Sequence, residues 1–527
     1  MAAKRAPFGG VALAASICLT PAFAEDAPMS AIDWLSNSVV TPAAIAPQPG
    51  GSRAILPPLP GEPPVSSGAT VGDVSVISLD KPSANAIGLL PVSRTGLPRD
   101  LWGVTPETEL AEALRRERFE MLPAMQGLLL KLALAELAPP AITAPGGRPV
   151  LFLARVDKLL ELGALEPALA LLEQADATDP EIFRRRFDVA LLLGEENRAC
   201  DALRDTPSIA PAYATRVFCL ARGGDWDTAI LTFGTGRAIG QIEPEMETVL
   251  ERFLDPELDD GGDLPPPSRP SPLIFRMMEA IGQPMPTGPL PVAFAQADLR
   301  ANTGWKARIE AAERLARSGA IDANQLLGLY TENEKAPSGR IWDRARAIAT
   351  LDRAITASDR TMIAATLPEA YRLMEEEQLE MVLATLWGAQ LAGLGMEGDA
   401  GEIAFRLGLL GESYESVARA HRVHDRDDAL LIGIARGQTG PVEAQDQLGL
   451  MLKSVFDSVP DTVPAPYADR AGGELGLMLL AAIDDVTEGA RGDYPRAANG
   501  LRMLRLAGLE DVARRAALEL IILERRG

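Results

Sequence analysis

The chain is predicted to be all-α, built of stacked antiparallel helix pairs with a proline-rich segment ahead of them. Three observations carry this. One short pattern recurs three times between Gly163 and Ile230, ending an apolar helical run with Gly and placing Ala five residues later: Gly163 with Ala168, Gly194 with Ala199, and Gly224 with Ala229. That is a period of about thirty residues, the length of one helix–turn–helix unit. Apolar residues make up 47% of the sequence and aromatic ones only 5%, so the cores are expected to be Leu and Ala, as where helices pack against helices.

Taken in order, the chain begins with Lys4 and Arg5, an apolar run from Phe8 to Leu19, and Ala22-Phe23-Ala24 before Glu25. A basic start, a short apolar stretch and small residues at −3 and −1 read as a secretory signal peptide, residues 1–24, cleaved after Ala24. Ile17 precedes Cys18 where a bacterial lipoprotein needs a small residue, which argues against a lipid anchor. The expected location is a bacterial periplasm.

Residues 25–99 are rich in Pro, Gly, Ser and Ala and are expected to be a disordered tether, because they cannot bury enough surface to offset their ordering entropy. Two islands interrupt them. Ser30 to Val39 places Ile32, Leu35 and Val39 on one side of a short helix with Trp34 at its edge, and Thr70 to Leu79 alternates like a strand. The Ile32, Trp34, Leu35 segment is a candidate docking motif for a groove, and packing back onto the protein itself is the alternative.

Residues 100–254 form the first helical domain. Thr105-Pro106-Glu107 marks a helix start, with Thr able to cap and Pro suited to the first helical position. Before each marker Gly lies a helical run, such as Leu159-Leu160-Glu161-Leu162. After each marker Ala come Leu171 and Leu172, or Leu203, or Ile230 and Phe233, at amphipathic spacing. Gly can close the first helix in a left-handed cap, and Ala lets the second helix approach closely. Weaker echoes are Gly411 with Ser416 and Gly508 with Ala513.

Gly163, Ala168, Ala175 and Pro180, and the run from Gly224 to Ile230, fall on the pattern of the tetratricopeptide (TPR) family, which this stretch resembles. The second unit departs from it, since its loop is Glu195 to Arg198 and Pro207 arrives early. The resemblance implies a helical solenoid whose first helices line a groove for a protein or peptide segment, with contacts around Arg155, Arg185 and Arg216. It also sets side by side the helices carrying Cys200 and Cys219. In an oxidising compartment these are expected to form a disulfide, the alternative being two buried free thiols. More distantly, the whole chain is similar to exported helical proteins of unassigned role in alphaproteobacteria.

Residues 255–272, acidic and proline-rich, read as a linker, and residues 273–527 as a second all-helical domain. The aspartates of 255–263 lack the spacing and closing Glu of a calcium loop.

Net charge is −22, and removal of the leader makes it two units more negative. Such a surface repels phosphate backbones and anionic lipid, so nucleic acid and membrane are not the expected partners. His421 and His424 are the only histidines; with Asp425 or Glu415 they fall short of a metal ligand set and read as surface residues. No other histidine is left as general base for a triad. Gly234-Thr235-Gly236 follows a helix rather than a strand, so it does not read as a phosphate loop. The runs Arg184 to Arg186 and Glu375 to Glu377 read as solvated helix faces. No cofactor is expected.

Some lytic transglycosylases join a helical superhelix to a catalytic Glu-Ser pair, and Glu412-Ser413, Glu415-Ser416 and Gly476-Leu477-Met478 are similar to parts of it. Leu479 stands where Gln is required, however, and the separation is too long. The function expected from the residues is therefore a non-enzymatic periplasmic scaffold binding an envelope protein. A peptidoglycan-active enzyme with Glu412 as general acid, or a flagellar-motor accessory role, is the alternative.

Overall fold

The computed structural model describes residues 83–144, 147–176, 178–255, 262–332 and 339–523. The expected signal peptide, the candidate Ile32, Trp34, Leu35 motif and the 70–79 segment read as strand-like lie outside the described residues. Within them the protein is all-helical, with two isolated parallel bridges, Leu90 with Ala135 and Pro106 with Ile142. No described helix is long and apolar enough to cross a membrane.

The first described residues correct the sequence reading, which ran the disordered tether on to residue 99. Leu89 and Leu90 donate backbone hydrogen bonds to the Leu134 carbonyl (2.8 and 3.0 Å), and Glu136 returns one to Leu90 (2.9 Å). The buried Asn85 accepts from the Phe152 amide through Oδ1 at 2.9 Å. This stretch is held by backbone pairing and one buried amide, which a tally of apolar side chains does not register. It continues into the short helix α1 (Val92–Thr95), closed by Gly96 with φ +69°.

Helices α2 (Glu107–Arg116) and α3 (Pro123–Leu134) follow. Thr105 does not cap; Pro106 occupies the cap position, and Glu107 turns inward. Its carboxylate accepts from Ala144 N (2.8 Å) and Leu151 N (3.1 Å). Glu107 and Asn85 thus satisfy the open amides of the next helix from a distance.

That helix, α4 (Val150–Glu161), opens three helix–turn–helix pairs: α4 with α5 (Leu165–Gln174), α6 (Pro180–Leu193) with α7 (Glu196–Asp205), and α8 (Tyr213–Arg222) with α9 (Trp226–Ala238). The marker glycines Gly163, Gly194 and Gly224 have φ of +77°, +82° and +84°, where a side chain would be strained. Each turn carries the same reverse hydrogen bond: Ala164 to Leu159, Glu195 to Ala190, Asp225 to Leu220. This is the bond that satisfies a helix's orphan carbonyls past a left-handed cap. Ala168, Ala199 and Ala229 are fully buried. Gly508 with Ala513 repeats the arrangement, but Gly411 is extended and does not.

Beyond them come α10 (Pro244–Leu254), α11 (Pro272–Ala280), α12 (Ala295–Asp298), α13 (Trp305–Arg317), α14 (Ala323–Thr331), α15 (Arg340–Thr356) and α16 (Arg360–Glu375). The chain ends with α17 (Glu380–Gly393), α18 (Gly398–Leu410), α19 (Tyr414–Ala420), α20 (Arg426–Ala435), α21 (Gln447–Phe456), α22 (Leu475–Ala490), α23 (Tyr494–Leu506) and α24 (Glu510–Ile522). Core membership does not follow chain order. The largest apolar core joins residues 97–162 to residues 309–523. At this junction α24 packs on α3, and Glu519 accepts from Ala124 N at 2.8 Å. Trp102 lies buried against Gly476, where a Cβ would stand 2.5 Å from its ring.

Two further cores hold the helix pairs. Phe183, Phe187, Phe218 and Met277 belong to one. Phe152, Ile182, Val189, Phe275 and Phe294 belong to the other. Both therefore draw on α11, which lies past the predicted linker.

Candidate interaction surface

The sequence reading placed a groove along the first helices of the three pairs. Arg155, its first residue, has no exposed surface. Its guanidinium donates to the carbonyls of Ala133 (2.9 Å), Ala135 (2.8 Å) and Asn85 (3.2 Å). Two of these end α3, where a cation meets the negative pole of the helix and its unpaired carbonyls. Burial pushes its pKa down to about 10. Arg155 is a structural clamp, and its assignment to the groove is corrected.

Arg185 is also buried. It forms a two-pronged pair with Asp157 of α4 (Nε to Oδ1 2.5 Å, Nη2 to Oδ2 3.0 Å), and Nη1 reaches Glu181 at 2.9 Å. Burial pulls its pKa down, but the charge of Asp157 and the hydrogen bonds to Asp157 and Glu181 outweigh it and hold it above the ordinary value. Arg184 is buried as well, so only part of the arginine run behaves as the solvated face expected of it. Arg216 alone of the three stays accessible, donating to the Pro207 carbonyl at 2.8 Å.

The face of α6 is taken by the protein's own later segment. Helix α11 packs on it, and Phe275 meets Phe294 edge-on at 5.4 Å. Gln296 donates to the Gly163 carbonyl at 2.8 Å. Arg276 reaches the buried Glu196 at 2.9 Å, which Arg222 also meets at 2.8 Å. Residues 272–298 lie where a bound segment was expected.

Asp188, one turn beyond Arg184, is buried with no hydrogen-bond partner for Oδ2. Burial pushes its pKa from 3.8 to about 7, against the pull of Arg184 and Arg185. Burial, aided by the charge of Asp484, likewise raises Glu117 from 4.5 to about 8. In both groups the folded state holds the proton more tightly than the unfolded one. The stability they contribute is fully present below about pH 4 and is lost as pH rises through about 7 to 8. Thermal melts between about pH 5 and pH 8.5 are expected to fall in midpoint, and Asp188→Asn is expected to flatten that fall. A slope unchanged by the substitution would remove Asp188 from the effect.

Cys200 and Cys219 form the expected disulfide, joining α7 to α8 with Cα atoms 5.1 Å apart. Its position keeps the second and third pairs in register.

What the sequence reading missed is on α9. Phe233 is buried as expected, but Ile230 is 54% exposed, Leu231 71% and Trp226 44%. Ile239 just beyond the helix is exposed too. Gly234 and Gly236, weighed above as part of a phosphate loop, are inside this helix. The legible signal was an apolar helix with no polar side, a pattern that ordinarily means burial on all sides.

The remaining candidate residues lie elsewhere in the fold. His421 stacks on Phe405 at 3.6 Å between ring centres and meets Asp428 at 3.1 Å. Glu412 is exposed in the turn between α18 and α19. Gly476, Leu477 and Met478 are buried in the first turn of α22, where Gly476 donates to the Leu101 carbonyl at 2.9 Å. A cavity of about 240 Å³ opens near Tyr494. Its arginines already have partners, Arg406 with Glu402 at 2.6 Å and Arg426 with Glu443 at 3.3 Å.

Compared with known protein families, curated proteins and solved structures, the chain matches none.

Proposed function

We propose that this protein is a non-enzymatic, TPR-like helical scaffold or adaptor that works in the periplasm by holding a protein segment of an envelope assembly. The observation that carries this reading is the apolar face of α9 on the third helix pair, exposed among the described residues at Ile230 and Leu231. In stacked repeats the outer face of the last unit is ordinarily polar, for solubility. An apolar one on a protein of net charge −22 has the character of a protein contact. The disulfide between Cys200 and Cys219 supports an oxidising location.

The contact surface in this reading is α9 with the accessible Arg216 nearby, in place of the groove around Arg155 and Arg185. A photo-crosslinking residue at Leu231, in cells, is expected to give a protein adduct. The same residue at Leu450, an isolated exposed apolar position on α21, is expected to give none. Absence of any adduct at Leu231 and at Arg216 would overturn the reading.

A further inference from the structure

We infer that the protein covering α9 is a second copy of this chain, paired helix against antiparallel helix about a twofold axis. This rests on the reading of α9 as a protein contact and names its occupant.

The steric case is self-complementarity. Ala229, Phe233 and Gly236 face the protein's own core, so the opposite side presents Asp227, Leu231, Gly234 and Ala238, with Ile230 at its edge. Leu231 is a knob, the most exposed of the helix's large apolar residues. Gly234, three residues on and on the same side, is a hole: a Cβ built there would meet nothing within 4 Å. Residues three apart on a helix are surface neighbours. Antiparallel pairing centred between them seats Leu231 over the partner's Gly234, and by symmetry the reverse. One helix thus supplies both halves of the fit, as a twofold contact requires.

The electrostatic case selects the same direction. Asp225 and Asp227 lie at the start of α9 and Arg237 in its last turn. Antiparallel pairing brings Asp227 beside the partner's Arg237 and opposes the two helix dipoles. A parallel arrangement would set acid on acid and base on base. Arg237 is half exposed; within its own chain it lies over the Phe233 ring at 5.4 Å and pairs with Glu251 at 2.7 Å and Glu247 at 3.6 Å, so the partner's Asp227 would add to an existing acidic set.

Size sets the expected strength. Thirteen residues make a helix about 20 Å long, a small contact beside a standard stable interface of about 800 Å² per partner. The dimer is therefore expected in the micromolar range.

Sedimentation velocity on the purified chain, disulfide intact, over about 1 to 300 µM tests this. The expected result is a monomer–dimer equilibrium that Leu231→Asp and Gly234→Leu each weaken about tenfold or more. Both positions are on the open side of the helix, and replacing a helical Gly removes a propensity cost, so Gly234→Leu separates loss of pairing from loss of fold. A monomer at every concentration overturns the inference, as does a dimer that both variants leave unchanged. If Leu231 crosslinks in cells only to a different protein while the purified chain stays monomeric, the second copy is overturned and the scaffold reading stands.

Discussion

Glu313→Ala is expected to cost about 3–5 kcal/mol, because it strands a buried charge. Glu313 on α13 accepts from Arg344 of α15 through both oxygens, Nε at 2.7 Å and Nη2 at 2.6 Å, and from the Tyr330 hydroxyl of α14 at 2.8 Å. All three residues are buried, so one carboxylate ties together three successive helices. Burial and the charge of Glu313 raise the Tyr330 pKa well above its ordinary value, so the hydroxyl stays a donor at all accessible pH. Removing the carboxylate leaves the Arg344 guanidinium inside, with the neutral Tyr330 hydroxyl and, at 3.6 Å, Glu377 as its remaining partners among the described residues. Amide hydrogen exchange localises the effect in a chain too long for one two-state transition. Protection in α13 to α15 is expected to drop by roughly two to four orders of magnitude. The double substitution Glu313→Leu with Arg344→Met is expected to recover most of it, since an apolar pair of similar volume needs no desolvation. Equal losses in the single and double variants would show that the helices are held by packing alone.

Reduction of the disulfide carries the second large effect, about 3 kcal/mol from closing a loop whose ends are 19 positions apart in sequence. The loss is expected in the helix pairs, where Cys200 and Cys219 belong to the core of Phe183, Phe187 and Phe218. Exchange in α6 to α10 should rise on adding reductant, and in the Cys200→Ser, Cys219→Ser variant, while α15 to α24 keep their protection. That larger core contains neither cysteine. Because α8 and α9 are one pair, reduction is also expected to weaken the self-association through Leu231. If exchange in α6 to α10 is unchanged by reductant, the bond adds nothing to the stability of these helices.

Much of this was readable from local patterns. Gly163, Gly194 and Gly224 announced three left-handed turns, because few other residues tolerate that backbone. Ala168, Ala199 and Ala229 announced the closely packed positions, and the disulfide followed from which helices would be neighbours. The errors have a common origin. Arg155, Arg184 and Arg185 read as surface or groove because arginine seldom enters a core unless paired. Their partners, the α3 carbonyls, Asp157 and Glu181, are on other turns or other helices. Ile230 read as packed because its spacing matches a buried stripe, and spacing does not tell whether another helix arrives to cover it.

The sequence by itself therefore determined the helical class and the turns of the helix pairs, since each depends on backbone conformation or on residues close along the chain, and it left the cysteine pairing as an expectation of the resemblance. Only the tertiary structure decided which faces are covered. It laid α11 on α6, joined α24 to α3, drew Asn85 and Glu107 onto the start of α4, and left Ile230 and Leu231 of α9 exposed among the described residues. Those outcomes depend on where segments far apart in sequence meet, and a helix carries the same periodicity whether its apolar side is buried or bare.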